Sequence, residues 1–108
     1  MAFDESYRIY LEEQLSEFGN FTSKKMFGGV GFFRDKIMFG GIMDNIFRLK
    51  ADESTIGDFE KYGMGPWSHG DGKSMPYYQV PVEVIEDKLE LKNWANKAFV
   101  VALSAKKK

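Results

Sequence analysis

The chain has 108 residues, of which 44% are hydrophobic and 16% aromatic, and its formal net charge at pH 7 is −1. This length supports one domain with one modest core, and the apolar content excludes an intrinsically disordered chain. The sequence contains no cysteine, which excludes disulfides and thiolate metal sites, and its balanced charge provides no overall electrostatic footprint for nucleic acid.

The first predicted element is a helix that begins after Asp4, a suitable N-cap, and ends at Gly19-Asn20. Its apolar residues recur at the spacing of one helical face. They are Tyr7, Leu11, Leu15 and Phe18. We interpret the Lys24-Lys25 pair that follows as part of an exposed loop leading into a sheet.

The middle of the chain predicts three strands that follow one another as an antiparallel meander. These strands are Gly29–Arg34, Ile37–Met43 and Ile46–Lys50. Asp44-Asn45 suits a tight hairpin because both residue types tolerate a positive φ. The third strand alternates between apolar and basic residues, so we expect Arg48 and Lys50 to lie on a solvent-facing side of the sheet.

Five glycines precede or interrupt the first two predicted strands. They are Gly28, Gly29, Gly31, Gly40 and Gly41. Glycine weakens a strand unless a bulge, a bend or a close approach requires it, so we expect Gly40-Gly41 to lie where a large aromatic side chain or a helix crosses the sheet. A dinucleotide-binding loop is excluded, because Arg34 occupies the third glycine position and another strand follows.

The second half of the chain predicts a short helix after Asp52, then irregular chain, a strand and two helical segments. The later segments are the irregular stretch Gly63–Pro76, a strand at Tyr77–Val80, a helical turn at Val82–Glu86 and a final helix from its cap Asp87 to near Leu103. The predicted order is α-β-β-β-α-β(-β)-α. It indicates the α+β class, with a two-layer arrangement of an antiparallel sheet covered by helices.

The irregular stretch and the strand after it form a candidate interaction or ligand loop, because long loops in compact domains are often functional. Its candidate residues are Trp67, His69, Lys73, Tyr77 and Tyr78. A phosphate-binding P-loop at Gly72-Lys73-Ser74 is excluded, because Trp67 stands where that motif requires glycine. His69 is the sole histidine of the sequence and has no paired nucleophile, so we predict no catalytic residue, no metal site and no cofactor.

Several of these segments together resemble a known family. The residues are Met26-Phe27-Gly28-Gly29-Val30-Gly31-Phe32, Ile37-Met38-Phe39-Gly40, Phe47-Arg48-Leu49-Lys50, Met75-Pro76-Tyr77-Tyr78 and Leu91-Lys92-Asn93-Trp94. They resemble the N-terminal domain of the TfoX/Sxy family, regulators of competence for DNA uptake in bacteria. The resemblance covers nearly the whole chain and implies a single domain over residues 1–108, without the second, C-terminal domain of full-length members. It also implies a structural family motif: Met26, Phe27, Gly28, Gly29, Gly31 and Gly40.

The resemblance implies a non-enzymatic regulatory module that acts in transcriptional control through protein–protein contacts. We expect a protein partner, with a transcription factor as one candidate, and weak or no direct DNA binding. The basic clusters are limited to Lys24-Lys25 and the Lys106–Lys108 tail. Two alternatives stay open: a homo-oligomerising interaction domain such as a homodimer, unrelated to competence, and a small-molecule binder that uses the Trp67–Tyr78 loop.

The sequence also predicts where the protein resides. No apolar run approaches the length of a membrane span, and residues 1–5 lack the basic and apolar regions of a signal peptide. We therefore expect a cytoplasmic protein that does not associate with membranes.

Overall fold

The structure of the protein is a computed structural model that describes residues 4–26, 28–68 and 74–106. Its helices are α1 (Glu5–Gln14), α2 (Ile56–Glu60), α3 (Val82–Ile85) and α4 (Lys88–Lys106), and a 3₁₀ turn at Leu15–Glu17 extends α1. Its strands are β1 (Thr22–Met26), β2 (Gly29–Arg34), β3 (Ile37–Met43), β4 (Ile46–Lys50), β5 (Pro66–Ser68) and β6 (Ser74–Gln79). None of the described helices combines the length and the apolar character needed to cross a membrane.

The described strands form one antiparallel sheet in the order β1-β2-β3-β4-β6-β5. Two-residue turns join β2 to β3 at Asp35-Lys36 and β3 to β4 at Asp44-Asn45, and all four residues have φ between 52° and 66°. Such turns match the twist of the flanking strands, and Asn and Asp tolerate this backbone region. The predicted meander, its Asp44-Asn45 hairpin and the α+β class are confirmed.

Two strands occupy segments that we had interpreted as loop or irregular chain. β1 contains Lys24 and Lys25, and β5 lies inside the stretch Gly63–Pro76. Both strands are at the edges of the sheet, where one flank faces water and charged side chains are common. An edge strand of this kind lacks the apolar alternation by which the interior strands are recognised.

The helices cover one face of the sheet and form the core with it. The strands contribute phenylalanines, of which Phe32 and Phe47 meet edge to face at 5.8 Å between ring centroids. Trp94 of α4 packs edge-on against Phe59 of α2, with centroids 4.9 Å apart. The fully buried side chains of this single cluster include Leu11, Leu15, Phe32, Phe39, Ile42, Phe47, Leu49 and Leu91. The fold therefore has two layers, as predicted.

Arg34 at the end of β2 attaches the end of the first helical segment to the sheet. Its guanidinium donates hydrogen bonds to the carbonyl oxygens of Phe18, Gly19 and Asn20 at 2.9–3.1 Å. It also lies 3.8 Å from the centroid of the Phe18 ring. The last carbonyls of a helical segment have no partner inside the segment and carry partial negative charge, so a cation there both satisfies and stabilises them.

Two glycines allow β2 and β3 to approach each other closely. A Cβ at Gly29 would lie 2.2 Å from the carbonyl oxygen of Ile42, and one at Gly41 would lie 2.3 Å from that of Val30. Both distances are far below van der Waals contact. Any side chain at either position would force the two strands apart and break their hydrogen bonds.

Gly40 has the same role between β3 and β4. A Cβ there would lie 2.6 Å from the carbonyl oxygen of Arg48 and 2.8 Å from Cδ2 of Leu49. We had expected a large aromatic side chain or a helix to cross the sheet at Gly40-Gly41. Helix α4 packs on β3, but the atoms nearest to an added Cβ belong mainly to the adjacent strands. The backbones of the adjacent strands exclude a Cβ, and at Gly40 the side chain of Leu49 contributes.

Substitution of Gly40 tests this explanation. We expect Gly40→Val to lower the free energy of unfolding by about 1–3 kcal/mol, because the added side chain collides with backbone and core. The matched control is Gly57→Val in α2, where an added Cβ meets no atom within 4 Å. Denaturant unfolding measures both variants. A Gly40→Val protein as stable as Gly57→Val would contradict the close-approach argument.

Candidate functional site

The face of the sheet opposite the helices has its own set of side chains. Strand residues alternate between faces, so Arg48, between the core residues Phe47 and Leu49, points away from the helices. The register places Gly41 of β3 and Gln79 of β6 beside Arg48 on this second face. Further along the same strands, Met43 and Tyr77 lie diagonally to Arg48, two residues beyond its direct partners.

A cavity of about 230 Å³ lies on this second face. Its walls are mainly apolar, because four methionines and two aromatic residues supply most of the lining side chains. These residues are Met26, Met38, Met43, Trp67, Met75 and Tyr77. We call this space the methionine cavity. Pockets of this kind, apolar with a few polar groups, are where small molecules bind in proteins.

Two of the cavity methionines lie over glycine backbone. Gly31 of β2 and Gly41 of β3 are direct cross-strand partners. A Cβ at Gly31 would lie 2.8 Å from Sδ of Met26, and one at Gly41 would lie 3.4 Å from Cε of Met38. The two thioether side chains therefore lie over positions that have no side chain. Methionine is unbranched and polarisable, so these walls adapt to the shape of a bound molecule.

The rim of the cavity is held by a hydrogen bond between distant parts of the chain. Trp67 Nε1 in β5 donates to Oδ2 of Asp44 at 2.7 Å. Asp44 lies in the β3–β4 turn with φ of 56°, and Trp67 pairs with Met75 across β5 and β6. The bond thus links the sheet edge at β5 to the central turn and orients the indole along the cavity wall.

Arg48 is the buried charge of this face. Its side chain is only 8% exposed, and its Nε is buried with no hydrogen-bond partner among the described residues. Burial lowers the pKa of Arg48, whereas the negative charge of Asp44 raises it; the guanidinium stays protonated because arginine is always charged in proteins. We had expected Arg48 to face solvent. The alternation assigned it to the correct face, but the neighbouring side chains on that face bury it.

Alternation also separates the two adjacent tyrosines of the candidate loop. Tyr77 faces the cavity, where burial raises the pKa of its phenol, and Lys50 Nζ lies 5.3 Å from its ring centroid. The phenol therefore keeps its proton at physiological pH. Tyr78 faces the helices, and its ring centroid lies 5.5 Å from that of Phe59. Tyr78 is a core residue in this fold.

The structure brings together only part of the residues selected from the sequence. Trp67 and Tyr77 line the methionine cavity, as do Met26, Gly28 and Gly29 of the family motif. Three selected residues lie outside the described residues: Phe27, His69 and Lys73. Within residues 4–26, 28–68 and 74–106, no three His, Cys, Asp or Glu side chains are grouped so that they could hold a metal ion.

Sequence reasoning missed most of the cavity wall. Met38 and Met43 are five residues apart on β3, and strict alternation would place them on opposite faces of the sheet. Both line the cavity because the register between β2 and β3 shifts between Phe32 and Phe33, an irregularity that the sequence pattern does not reveal. Arg48 was predicted to face solvent because charged residues at every second position of a strand usually indicate a solvent-facing side.

Comparison with known protein families finds that residues 13–102 match the TfoX N-terminal domain. The matched segment extends from within α1 into α4 and includes the whole described sheet and the methionine cavity. A search among curated proteins found no match.

Replacement of Arg48 tests whether its charge is uncompensated. We expect Arg48→Met to leave the free energy of unfolding unchanged or to raise it by about 1 kcal/mol or more, because an apolar side chain of similar length avoids the desolvation cost of a buried charge. The matched control is Arg34→Met. It removes three hydrogen bonds to carbonyl oxygens, so we expect a loss of about 1.5–3 kcal/mol.

Thermal and denaturant unfolding of the two variants distinguish these roles. A large loss of stability in Arg48→Met, comparable to that in Arg34→Met, would show that Arg48 stabilises the fold and would contradict the prediction.

Proposed function

We propose that this chain, which belongs to the TfoX N-terminal domain family, is a non-enzymatic regulatory module that acts in transcriptional control through contacts with another protein. Family membership supports the regulatory role, and the resemblance to competence regulators favours DNA uptake as the regulated process. The alternative partner is a second copy of this chain. The observation that carries the proposal is the environment of the three arginines, which argues against DNA as the direct partner.

Each arginine is used inside the domain. Arg8 forms ion pairs with Glu5 and Glu12 on its own helix. Arg34 is bound to three backbone carbonyls, and Arg48 is buried. Arginine forms the bidentate contacts by which proteins bind phosphate and read guanine, so a DNA-binding surface normally presents several free guanidiniums. This domain presents none of its arginines in that way.

Two of the lysines are also paired with carboxylates inside the domain. Lys88 pairs with Glu13 at 3.2 Å, and Lys97 pairs with Asp58 at 3.2 Å. Lys24 is exposed on the edge strand β1, next to Lys25. Non-specific affinity for DNA grows with the number of phosphates that are neutralised, so one such pair supplies little.

The helical layer presents apolar side chains instead. Ile9 of α1 is 58% exposed and Leu89 of α4 is 64% exposed. The Lys88–Glu13 ion pair brings the start of α4 next to α1; Leu89 adjoins Lys88, and Ile9 lies one helical turn from Glu13. We define Ile9 and Leu89 as the helical apolar patch. Exposed apolar side chains of this size are typical anchors of protein interfaces.

The first prediction concerns DNA. We expect the isolated domain to bind duplex DNA with a dissociation constant of about 10⁻⁴ M or weaker at physiological salt. Fluorescence anisotropy with mixed-sequence and promoter duplexes, repeated across a salt series, measures it. Sub-micromolar binding that weakens steeply with salt and is lost in Lys24→Gln/Lys25→Gln would contradict the proposal.

The second prediction concerns regulation in the native host. Deletion of the gene is expected to change a defined set of transcripts, and the wild-type chain is expected to restore them. An Ile9→Lys/Leu89→Lys variant should fail to restore them, because two charges in an apolar contact oppose docking. The control is Glu53→Lys/Lys61→Glu, which alters exposed charges outside the patch.

Photo-crosslinkers placed at Ile9 and at Glu53 identify the partner in the same cells. A crosslinked heterologous protein, at position 9 only, supports the proposal, and a crosslink to a second copy identifies the homo-oligomer instead. Unchanged transcripts after deletion, or full restoration by the patch variant, would reject the regulatory role or the patch, respectively.

A further inference from the structure

We propose that the methionine cavity binds a small carboxylate with an apolar, preferably aromatic body, and that Arg48 recognises the carboxylate. This ligand site goes beyond the regulatory role proposed above and does not depend on it. The proposal rests on two observations on one face of the sheet. One is the apolar cavity, and the other is the buried Arg48, a diagonal neighbour of the cavity residues Met43 and Tyr77, whose Nε has no hydrogen-bond partner among the described residues.

The volume of the cavity limits the size of the apolar body. A protein cavity of about 150 Å³ accommodates benzene, so 230 Å³ accommodates, in proportion, roughly nine carbon atoms. That size corresponds to a phenylpropyl or an indole-like group.

The lining favours an aromatic body. Met26, Met38, Met43 and Met75 place polarisable sulfurs around the space, and Trp67 and Tyr77 add two rings. Contacts between sulfur and aromatic rings are favourable, and pairs of rings gain further energy in offset or edge-to-face geometry. An aromatic ligand therefore gains more from this wall than an aliphatic ligand of the same area.

Arg48 determines the charge of the ligand. Arg48 is 8% exposed and therefore 92% buried. Its diagonal neighbours Met43 and Tyr77 line the cavity. Movement of an unbranched methionine side chain opens the guanidinium to the cavity at low cost. A planar guanidinium binds a carboxylate through two parallel hydrogen bonds, which would satisfy the buried donor.

The negative charge of Asp44 weakens the binding of a carboxylate by Arg48 but does not prevent it. The Asp44 carboxylate lies at the rim, and its negative charge acts on Arg48. Its Oδ2 accepts the Trp67 Nε1 hydrogen bond, and the described residues include no hydrogen bond between Asp44 and Arg48. The buried Nε of Arg48 is thus left as a donor for an entering anion. A cationic ligand would instead meet Arg48 at close range and be repelled.

Three probes with the same apolar body and different head groups test the proposal. They are 3-phenylpropionate, its amide and 3-phenylpropylamine. Isothermal titration calorimetry on the full chain should give the highest affinity for the carboxylate, about tenfold or more above the amide, as expected for a hydrogen bond to a charged group. The amine should bind more weakly than the amide.

Variants of Arg48 assign the preference to this residue. Arg48→Met should lower the affinity for 3-phenylpropionate about tenfold or more and leave the amide within about twofold. Arg48→Lys should keep a weaker preference for the carboxylate, because lysine keeps the positive charge but lacks the two parallel N–H donors of the guanidinium. The control Lys61→Met removes one exposed charge outside the cavity and should change neither affinity. The Tm of each variant establishes that it is folded.

Methyl resonances of methionine report where the probe binds. With ¹³C-methyl methionine, 3-phenylpropionate should shift Met26, Met38, Met43 and Met75, and it should leave Met64, which packs against the helical core, unchanged. No measurable binding, equal affinity for the three head groups, an unaffected Arg48→Met, or shifts centred on Met64 would each overturn the proposal.

Discussion

The close approach of β3 to both of its neighbours is the constraint on which the rest of the structure depends. Backbone carbonyl oxygens of β2, β3 and β4 occupy the space that a Cβ would need at Gly29, Gly40 and Gly41. The centre of the sheet is therefore poor in side chains. On the helix side, large phenylalanines from adjacent positions fill the space. On the other side, where none of the described helices packs, methionine side chains lie over Gly31 and Gly41 and line a cavity.

The three arginines show how the same residue type serves different purposes in one small domain. Arg8 belongs to a solvated network, where each ion pair contributes little. Arg34 completes the hydrogen bonding of a helix end and stacks on Phe18, so its charge is compensated where it stands. Arg48 has no hydrogen-bond partner at its buried Nε among the described residues, and the charge of Asp44 acts on it through space. The contrast with Arg34 singles out Arg48 as a residue that the fold itself does not require.

The sequence predicted those parts of the structure that are encoded by neighbouring residues. The Asp44-Asn45 turn, the Asp87 cap and the interior strands follow from local backbone preference and period-two patterning, and they are confirmed. The edge strand β1 was missed, because an edge strand has polar residues on a flank that water can reach. The cavity was missed for a different reason. It depends on cross-strand register, such as the pairing of Gly31 with Gly41, and no local pattern contains that information.

The buried Nε of Arg48, which has no hydrogen-bond partner among the described residues, connects the stability of the domain to the proposed ligand binding. A methionine at this position would keep the apolar face continuous, so the charge lowers the stability of the empty domain. A ligand that binds only the folded state adds RT ln(1 + [L]/Kd), about 2.7 kcal/mol when its concentration is one hundred times Kd. This gain is of the same order as the cost of a buried polar group without a partner. The domain would then be least stable without ligand and most stable with ligand bound. The difference in stability would be greatest around the β3–β4 turn, because there Asp44 accepts the hydrogen bond from Trp67 of β5. The ordering of that turn and of the sheet edge would in this way depend on the concentration of a small carboxylate.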